Sequence, residues 1–235
     1  MTTVIVTADR PGDAVGDLEL SRELLAAVAR RPGVDRAVRV YRPRPTVAMT
    51  GRERLLPGFA EACRIAAEHG FEPVVRPTGG RAVVYDETCL VVDVIEGEHG
   101  GRADHRDAFV GIGDGFVRAL RGLGVDARLG PVPGEYCPGD YSVNARDSVK
   151  LVGTAQRVVR RARLVGASLA AGPVEHLVPV LDRVNRCLGL EWSTATFGSV
   201  ALEAPAVAPE ELESAILTAL APGAERVALS ELLAR

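Results

Sequence analysis

Apolar positions recur along this chain at two different periods. Over residues 17–30, DLELSRELLAAVAR, leucines fall at helical spacing behind an acidic start, which predicts an amphipathic helix. The stretch 57–69, PGFAEACRIAAEH, predicts a second helix, with Pro57 in its first turn and Gly70 just past its end. Over about 104–122, Phe109, Ile112, Phe116 and Leu120 repeat every three or four residues and predict a third. Further helices are expected near 174–187, 209–220 and 229–234, separated by Pro and Gly. Between them lie short β-branched runs: RAVRVYRP and PTVAMTG split by RPRP, EPVVR and RAVVYD around a glycine turn, and the strongly apolar CLVVDVIEG. YSVN and VKLVG follow, joined through ARDS as a turn, then RLVGASLA. Hairpin-like strand pairs mixed with helices predict an α+β fold, with a mixed, largely antiparallel sheet flanked by helices. Regular βαβ alternation is absent. No GxGxxG follows a first strand and no GxxxxGK[ST] occurs, so a nucleotide-binding doubly wound sheet is disfavoured.

Composition narrows the function classes. With 235 residues, 47% of them hydrophobic, the chain can bury a sizeable core. A formal charge of −3 gives no basic footprint for nucleic acid, although QRVVRRAR at 156–163 is a local cluster. No run approaches the roughly 20 apolar residues of a membrane span. The start, MTTVIVTADRPGD, lacks the basic and then apolar regions of a signal peptide, so a cytoplasmic protein is expected. Cys63, Cys89, Cys137 and Cys187 are widely spaced, form no CxxC pair and read as thiols, with no structural zinc. His99 and His105, in GEHGGRADHRD, superficially resemble a metal cluster. The segment reads more simply as a polar loop feeding a helix, and no metal site is expected.

Three stretches carry candidate chemistry. In VVRPTGGRAVVYD (74–86), Gly79 and Gly80 can take φ > 0 and let a ligand lie against the backbone N–H groups. Arg76 and Arg81 flank them with guanidinium forks suited to carboxylate or phosphate. A plain turn with two solvated arginines is the alternative. In SVKLVGTAQR (148–157), Lys150 is either a point charge for an acyl carbonyl or phosphate, or a lysine that protects a strand edge. Small residues follow it, Gly153, Thr154 and Ala155. In PVPGEYCPGDYSV (131–143), Cys137 is the one cysteine in a Pro/Gly-rich loop. It is either a nucleophile, if a neighbouring cation favours the thiolate, or a small packing residue. Glu135 and Asp140 flank it with charges that oppose a thiolate.

Taken together, VRPTGGRAVVYD and, about seventy residues on, KLVGTAQRVVRRARLVGASL resemble the lipoate–protein ligase A family. That family includes octanoyltransferases and is related to biotin protein ligases. The matching positions are Arg76, Thr78, Gly79, Gly80, Ala82, Val83 and Asp86, then Lys150, Gly153, Thr154 and Ala155, with Gly51 and Arg52 upstream. The resemblance spans roughly residues 17–190. It implies a biotin/lipoate-ligase-like catalytic domain with a tunnel for an eight-carbon acyl chain. It implies a glycine loop over the acyl or acyl-adenylate group, bordered by Arg81, Tyr85 and Asp140, and Lys150 on the reacting oxygen. The product would be a lipoyl or octanoyl amide on a lysine of a lipoyl-domain or glycine-cleavage-type carrier.

Departures from the pattern bear on the donor. Arg81 stands where ligases often carry a third glycine, and resembles the octanoyltransferase group. Tyr85 replaces a frequent histidine, and Val165-Gly166 a later His-Gly. The chain stops at residue 235 without the C-terminal accessory domain of longer ligases, so one catalytic domain over 1–235 is expected. Cys137, thirteen positions before Lys150, fits the placement of the nucleophile in ligase-like octanoyltransferases. Three readings stay open. The first is ATP- and magnesium-dependent lipoate ligation, aided by a separate accessory subunit. The second is Cys137-dependent transfer from an octanoyl-acyl-carrier-protein thioester. The third is a non-catalytic acyl-binding homologue.

Overall fold

The apolar run Cys89–Gly97 forms the middle of the molecule because both of its faces are covered; seven of its nine residues are buried. The computed structural model describes residues 2–8, 13–31, 33–97 and 105–233. His99 lies outside the described residues. In chain order the elements are Thr3–Thr7 (β1), Ala14–Arg30 (α1), Arg36–Tyr41 (β2), Thr46–Thr50 (β3), Phe59–Glu68 (α2), Glu72–Arg76 (β4), Val83–Tyr85 (β5) and Cys89–Gly97 (β6). Then come His105–Gly122 (α3), Ala127–Leu129 (β7), Val143–Ala145 (β8), Val149–Val159 (β9), Ala162–Ala170 (β10) and Leu177–Cys187 (α4). Val200–Glu203 (α5), Pro209–Leu220 (α6), Glu225–Ala228 (β11) and Leu229–Leu233 (α7) complete the described chain.

The large sheet has the order β11-β1-β2-β6-β10-β9-β8-β7, and a second sheet the order β4-β3-β5. Most neighbours are antiparallel, but β1 pairs parallel with both β2 and β11, and β3 pairs parallel with β4. The expected mixed, largely antiparallel α+β fold is therefore observed. One expectation needs correction. The strands β4 and β5, read as a pair around a glycine turn, do not touch each other in the sheet, because β3 lies between them. The parallel partner β4 is reached through α2, as β2 is reached from β1 through α1, so two β-α-β units are present among the described residues. The parallel strands β1 and β11 add to the mixed sheet; both are short, and no residue of β11 is buried.

Each helix buries the stripe its sequence predicts. Ile112, Phe116 and Leu120 of α3 are at most 1% exposed and pack with α6 on Leu90, Val92 and Val94 of β6. Full burial of each such side chain contributes about 1.5–3 kcal/mol. On the opposite face, Leu24 and Val28 of α1 meet Ile95 and Leu164. The second sheet, α2 and α4 pack around Met49, Ile65, Leu177 and Val184, and reach Tyr85 and Val91. The start of α1 is fixed by the Asp13 carboxylate, which accepts from the Gly16 N–H at 2.7 Å. Among the described residues no helix is long and apolar enough to cross a membrane.

The α2–α4 contact depends on Gly58, where a Cβ would lie 1.7 Å from the carbonyl oxygen of Cys187. Backbone stands on both sides, so neither can yield cheaply. Gly58→Ala should lower unfolding free energy by about 1–3 kcal/mol or more in urea titration. An unchanged midpoint would mean that the two helices do not pack this closely.

Candidate active site

Lys150 enters β9 in a register that simple alternation does not give. Val152 pairs with Val143 and Lys150 with the next residue, Asn144, leaving Leu151 as an extra residue in the ladder. Such a bulge reverses the alternation. Lys150 and Gly153, three apart, therefore share one face: a Cβ on Gly153 would lie 3.1 Å from the Lys150 Cε and 3.1 Å from the Tyr136 hydroxyl. The Lys150 ammonium is buried, and it donates to the Cys137 carbonyl at 2.6 Å and to Glu135 Oε1 at 3.2 Å. It also sits 4.7 Å from the centre of the Tyr136 ring.

Glu135 ties the cysteine loop together. Its Oε1 also accepts from the Gly139 N–H and the Ser142 hydroxyl, each at 2.9 Å, and its Oε2 from the Val132 N–H at 3.1 Å. Four donors therefore converge on one carboxylate that is 1% exposed. A buried charge is tolerated only when paired and hydrogen-bonded in this way. Tyr136, next in sequence, packs edge-on to Trp192 and stacks with Phe197, and burial pushes its phenol above the ordinary range.

The glycine loop forms the facing wall. Glu53, also buried, accepts from the Thr50 N–H at 2.7 Å and hydroxyl at 2.9 Å through Oε2, and from the Ala82 N–H at 2.7 Å through Oε1. Arg76 donates to the Arg81 carbonyl at 2.7 Å, and its Nε has no hydrogen-bond partner among the described residues. Gly80 has φ +98°, and a Cβ there would lie 2.9 Å from Arg76 Nη2 and 3.0 Å from Cys137 Sγ. Thiol and guanidinium are thus within about 6 Å of each other. The Arg81 N–H donates to Cys137 Sγ at 3.2 Å, and the Arg81 side chain reaches the Glu191 carbonyl at 3.4 Å.

Beside these groups opens a cleft of about 510 Å³, including its mouth. Arg76, Pro77, Thr78, Tyr85 and Gly153 border it from the loop side. Leu18, Val91, Leu164 and Ala167 supply apolar wall, and Ser21, Asp93 and Ser168 polar groups. A smaller adjoining pocket shares Tyr85 and Ser168 and is lined by Lys150, Tyr136 and Cys89.

Most of the expected residues therefore meet, and the rest do not. Ala155 is buried two residues beyond Gly153 along β9, and Thr154 lies on the alternate face. Gly79 is exposed with nothing near its Cβ position. Asp140 is exposed. Asp86 turns the chain into β6, accepting from the Thr88 N–H and hydroxyl and pairing with His176 at 2.6 Å. Burial pushes the Cys89 thiol up to about 12 and raises that of Cys63, which leaves both poorly ionised. The roles of Glu53, and of Glu135 as the partner of Lys150, are absent from the sequence reading. Only the sparse spacing of acids beside apolar runs hints at them. Among the described residues, no group of three or more His, Cys, Asp or Glu side chains could hold a metal.

Known proteins resemble this chain in sequence and in fold. The octanoyl-[GcvH]:protein N-octanoyltransferase of Exiguobacterium sibiricum is 32% identical over 131 residues, which cover 53% of this chain and 45% of that protein. The matched stretch is thus less than half of the relative. The lipoate protein ligase of Thermoplasma acidophilum, solved with bound lipoic acid, superposes with TM-score 0.75 at 19% identity over 100% of this chain and 93% of that one. A lipoate-protein ligase A bound with ATP gives TM-score 0.68 at 19% identity, covering 100% and 86%. At such identities the likeness is one of fold. The family model of the lipoyl protein ligase A/B catalytic domain matches residues 13–186, and the chain belongs to that family.

Proposed function

We propose that the chain transfers an octanoyl or lipoyl group to a lysine of a carrier protein through a thioester on Cys137. The observation that carries this reading is the position of the Cys137 sulfur, 3.2 Å from the Arg81 N–H, in a loop held by the buried Glu135–Lys150 pair. The name of the Exiguobacterium relative, in which octanoyl-[GcvH] is the acyl donor and a second protein the acceptor, supports the acyl group and its transfer to a nitrogen of a protein. Attack of the sulfur on the thioester carbonyl of an octanoyl donor, such as an acyl-carrier protein, forms the S–C bond. Collapse expels the donor thiol, which takes up the proton that Cys137 released. The ε-amine of the carrier lysine then forms the C–N bond, breaks C–S and returns its proton to the cysteine sulfur. Donors aimed at developing negative charge lower both barriers. The Arg81 N–H and the Arg76 guanidinium stand beside the sulfur, and Lys150 holds the loop from behind.

A second reading is ATP-dependent ligation of lipoate. It is favoured by the fold shared with the ATP-bound ligase and by Arg76 at the cleft, whose buried Nε has no hydrogen-bond partner among the described residues. Arg76 and the loop N–H groups would hold the phosphate, with a separate subunit completing adenylation. ATP–pyrophosphate exchange stimulated by lipoate distinguishes the two. Exchange that does not need Cys137 would favour ligation.

Cys137→Ser should reduce octanoyl transfer to carrier at least about a hundredfold, because a hydroxyl ionises far less readily than a thiol. Transfer at the wild-type rate in a gel-shift assay of the carrier would remove the cysteine from the mechanism.

Lys150→Ala should destabilise the fold by about 3–5 kcal/mol, since it strands the buried Glu135 charge. The double variant Lys150→Met, Glu135→Gln should recover much of that stability in thermal denaturation yet remain impaired in transfer. Full activity in a folded double variant would show that the lysine has no part in the site.

A further inference from the structure

The strands that floor the cleft bring one carboxylate into it, beside Ser168 and otherwise apolar side chains. Ser168 pairs across the sheet with Gly153 and Val91, and these residues lie next to the reacting groups. Two residues on, roughly 7 Å along the strands and about five or six methylenes, Gly166 pairs with Asp93. Leu164 follows on the same face. Asp93 is 3% exposed, the lone acid in the buried part of β6, and it lines the cleft.

Among the described residues, only one of its oxygens is engaged. Oδ2 accepts from the Ser21 hydroxyl at 2.6 Å and faces Arg39 Nη1 at 3.5 Å. Arg39 is shared, since it also donates to Asp17 Oδ1 at 2.9 Å and stacks 3.7 Å over the Tyr41 ring. No hydrogen bond from the described residues reaches Oδ1. That oxygen faces the space left by Gly166, where a Cβ would lie 3.7 Å from it. Burial, ahead of the opposing pull of Arg39, raises the carboxyl above the ordinary aspartate range. An unbranched alkyl chain laid over this floor would remove the last water from Oδ1 and give nothing back, and a buried polar atom left unpaired is costly.

Resting on the acyl-transfer reading above, we propose that the preferred acyl group carries a hydrogen-bonding substituent, such as a hydroxyl, toward its distal end, where it meets Asp93 Oδ1. A hydroxyl suits the site because it can donate to a carboxylate or accept from a carboxylic acid. Ser21 and Arg39 hold the carboxyl plane, so the free oxygen is already aimed when the acyl group enters. The plain octanoyl chain is then the poorer ligand.

Calorimetric titration of the whole chain with octanoate, and with octanoates hydroxylated on the sixth, seventh or eighth carbon, tests this. At least one hydroxy acid should bind about tenfold more tightly than octanoate, the worth of one buried hydrogen bond. Gly166→Ala, whose methyl would cover Oδ1 at ordinary contact distance without touching Arg39, should bring that ratio close to one. Octanoate binding as tightly as every hydroxy acid, or an unchanged ratio in Gly166→Ala, would overturn this inference and leave the acyl pocket standing. If none of the four acids binds, the acyl-pocket reading fails and this inference fails with it.

Discussion

The buried Glu135–Lys150 ion pair is the interaction on which the site depends. Both side chains are almost fully withdrawn from water, and neither would be tolerated there alone. The cost is offset by saturating the carboxylate with four donors and giving the ammonium a carboxylate, a carbonyl and an aromatic face. Satisfied networks of this kind rigidify what they join. Here they join a bulged strand to a loop rich in proline and glycine, which would otherwise have few reasons to adopt one shape. The Cys137 carbonyl is one of the groups held, so its side chain leaves the backbone from a fixed point.

The facing wall follows the same logic. Glu53 ties the end of β3 to Ala82, and Arg76 closes the loop on the Arg81 carbonyl. Two loops, each bound by a buried glutamate, are thereby brought together at the Arg81 N–H and the Cys137 sulfur. Glycines stand where side chains would part them: Gly80 beside sulfur and guanidinium, Gly153 beside Lys150 and Tyr136. The rest of the fold keeps these walls in register with a sheet whose far side is filled by α3 and α6.

Local pattern made much of this legible in the sequence. The stripe Phe109, Ile112, Phe116, Leu120 is a helix signal because its burial follows its period. The glycine loop, Lys150 and Cys137 stood out because glycine, lysine and cysteine have narrow uses in such surroundings. What stayed hidden depends on pairing at long range. The placement of β3 between β4 and β5 cannot be seen in either strand's own residues. The bulge at Leu151 leaves no mark in an unbroken apolar run, yet it decides which face Lys150 occupies. Asp140 and Glu135 looked alike as acids flanking the cysteine. Their surroundings separate them, one exposed and one the hub of the loop.

The central claim is that this loop exists to present a sulfur that carries the acyl group. Rapid quenching of the protein with an octanoyl-carrier donor, in the absence of an acceptor lysine, followed by peptide mapping in a mass spectrometer, addresses it most directly. The account predicts one octanoyl group, on the peptide containing Cys137. An octanoyl group on Cys63, Cys89 or Cys187 instead, or none on any cysteine while acyl transfer to an added carrier proceeds, would contradict it.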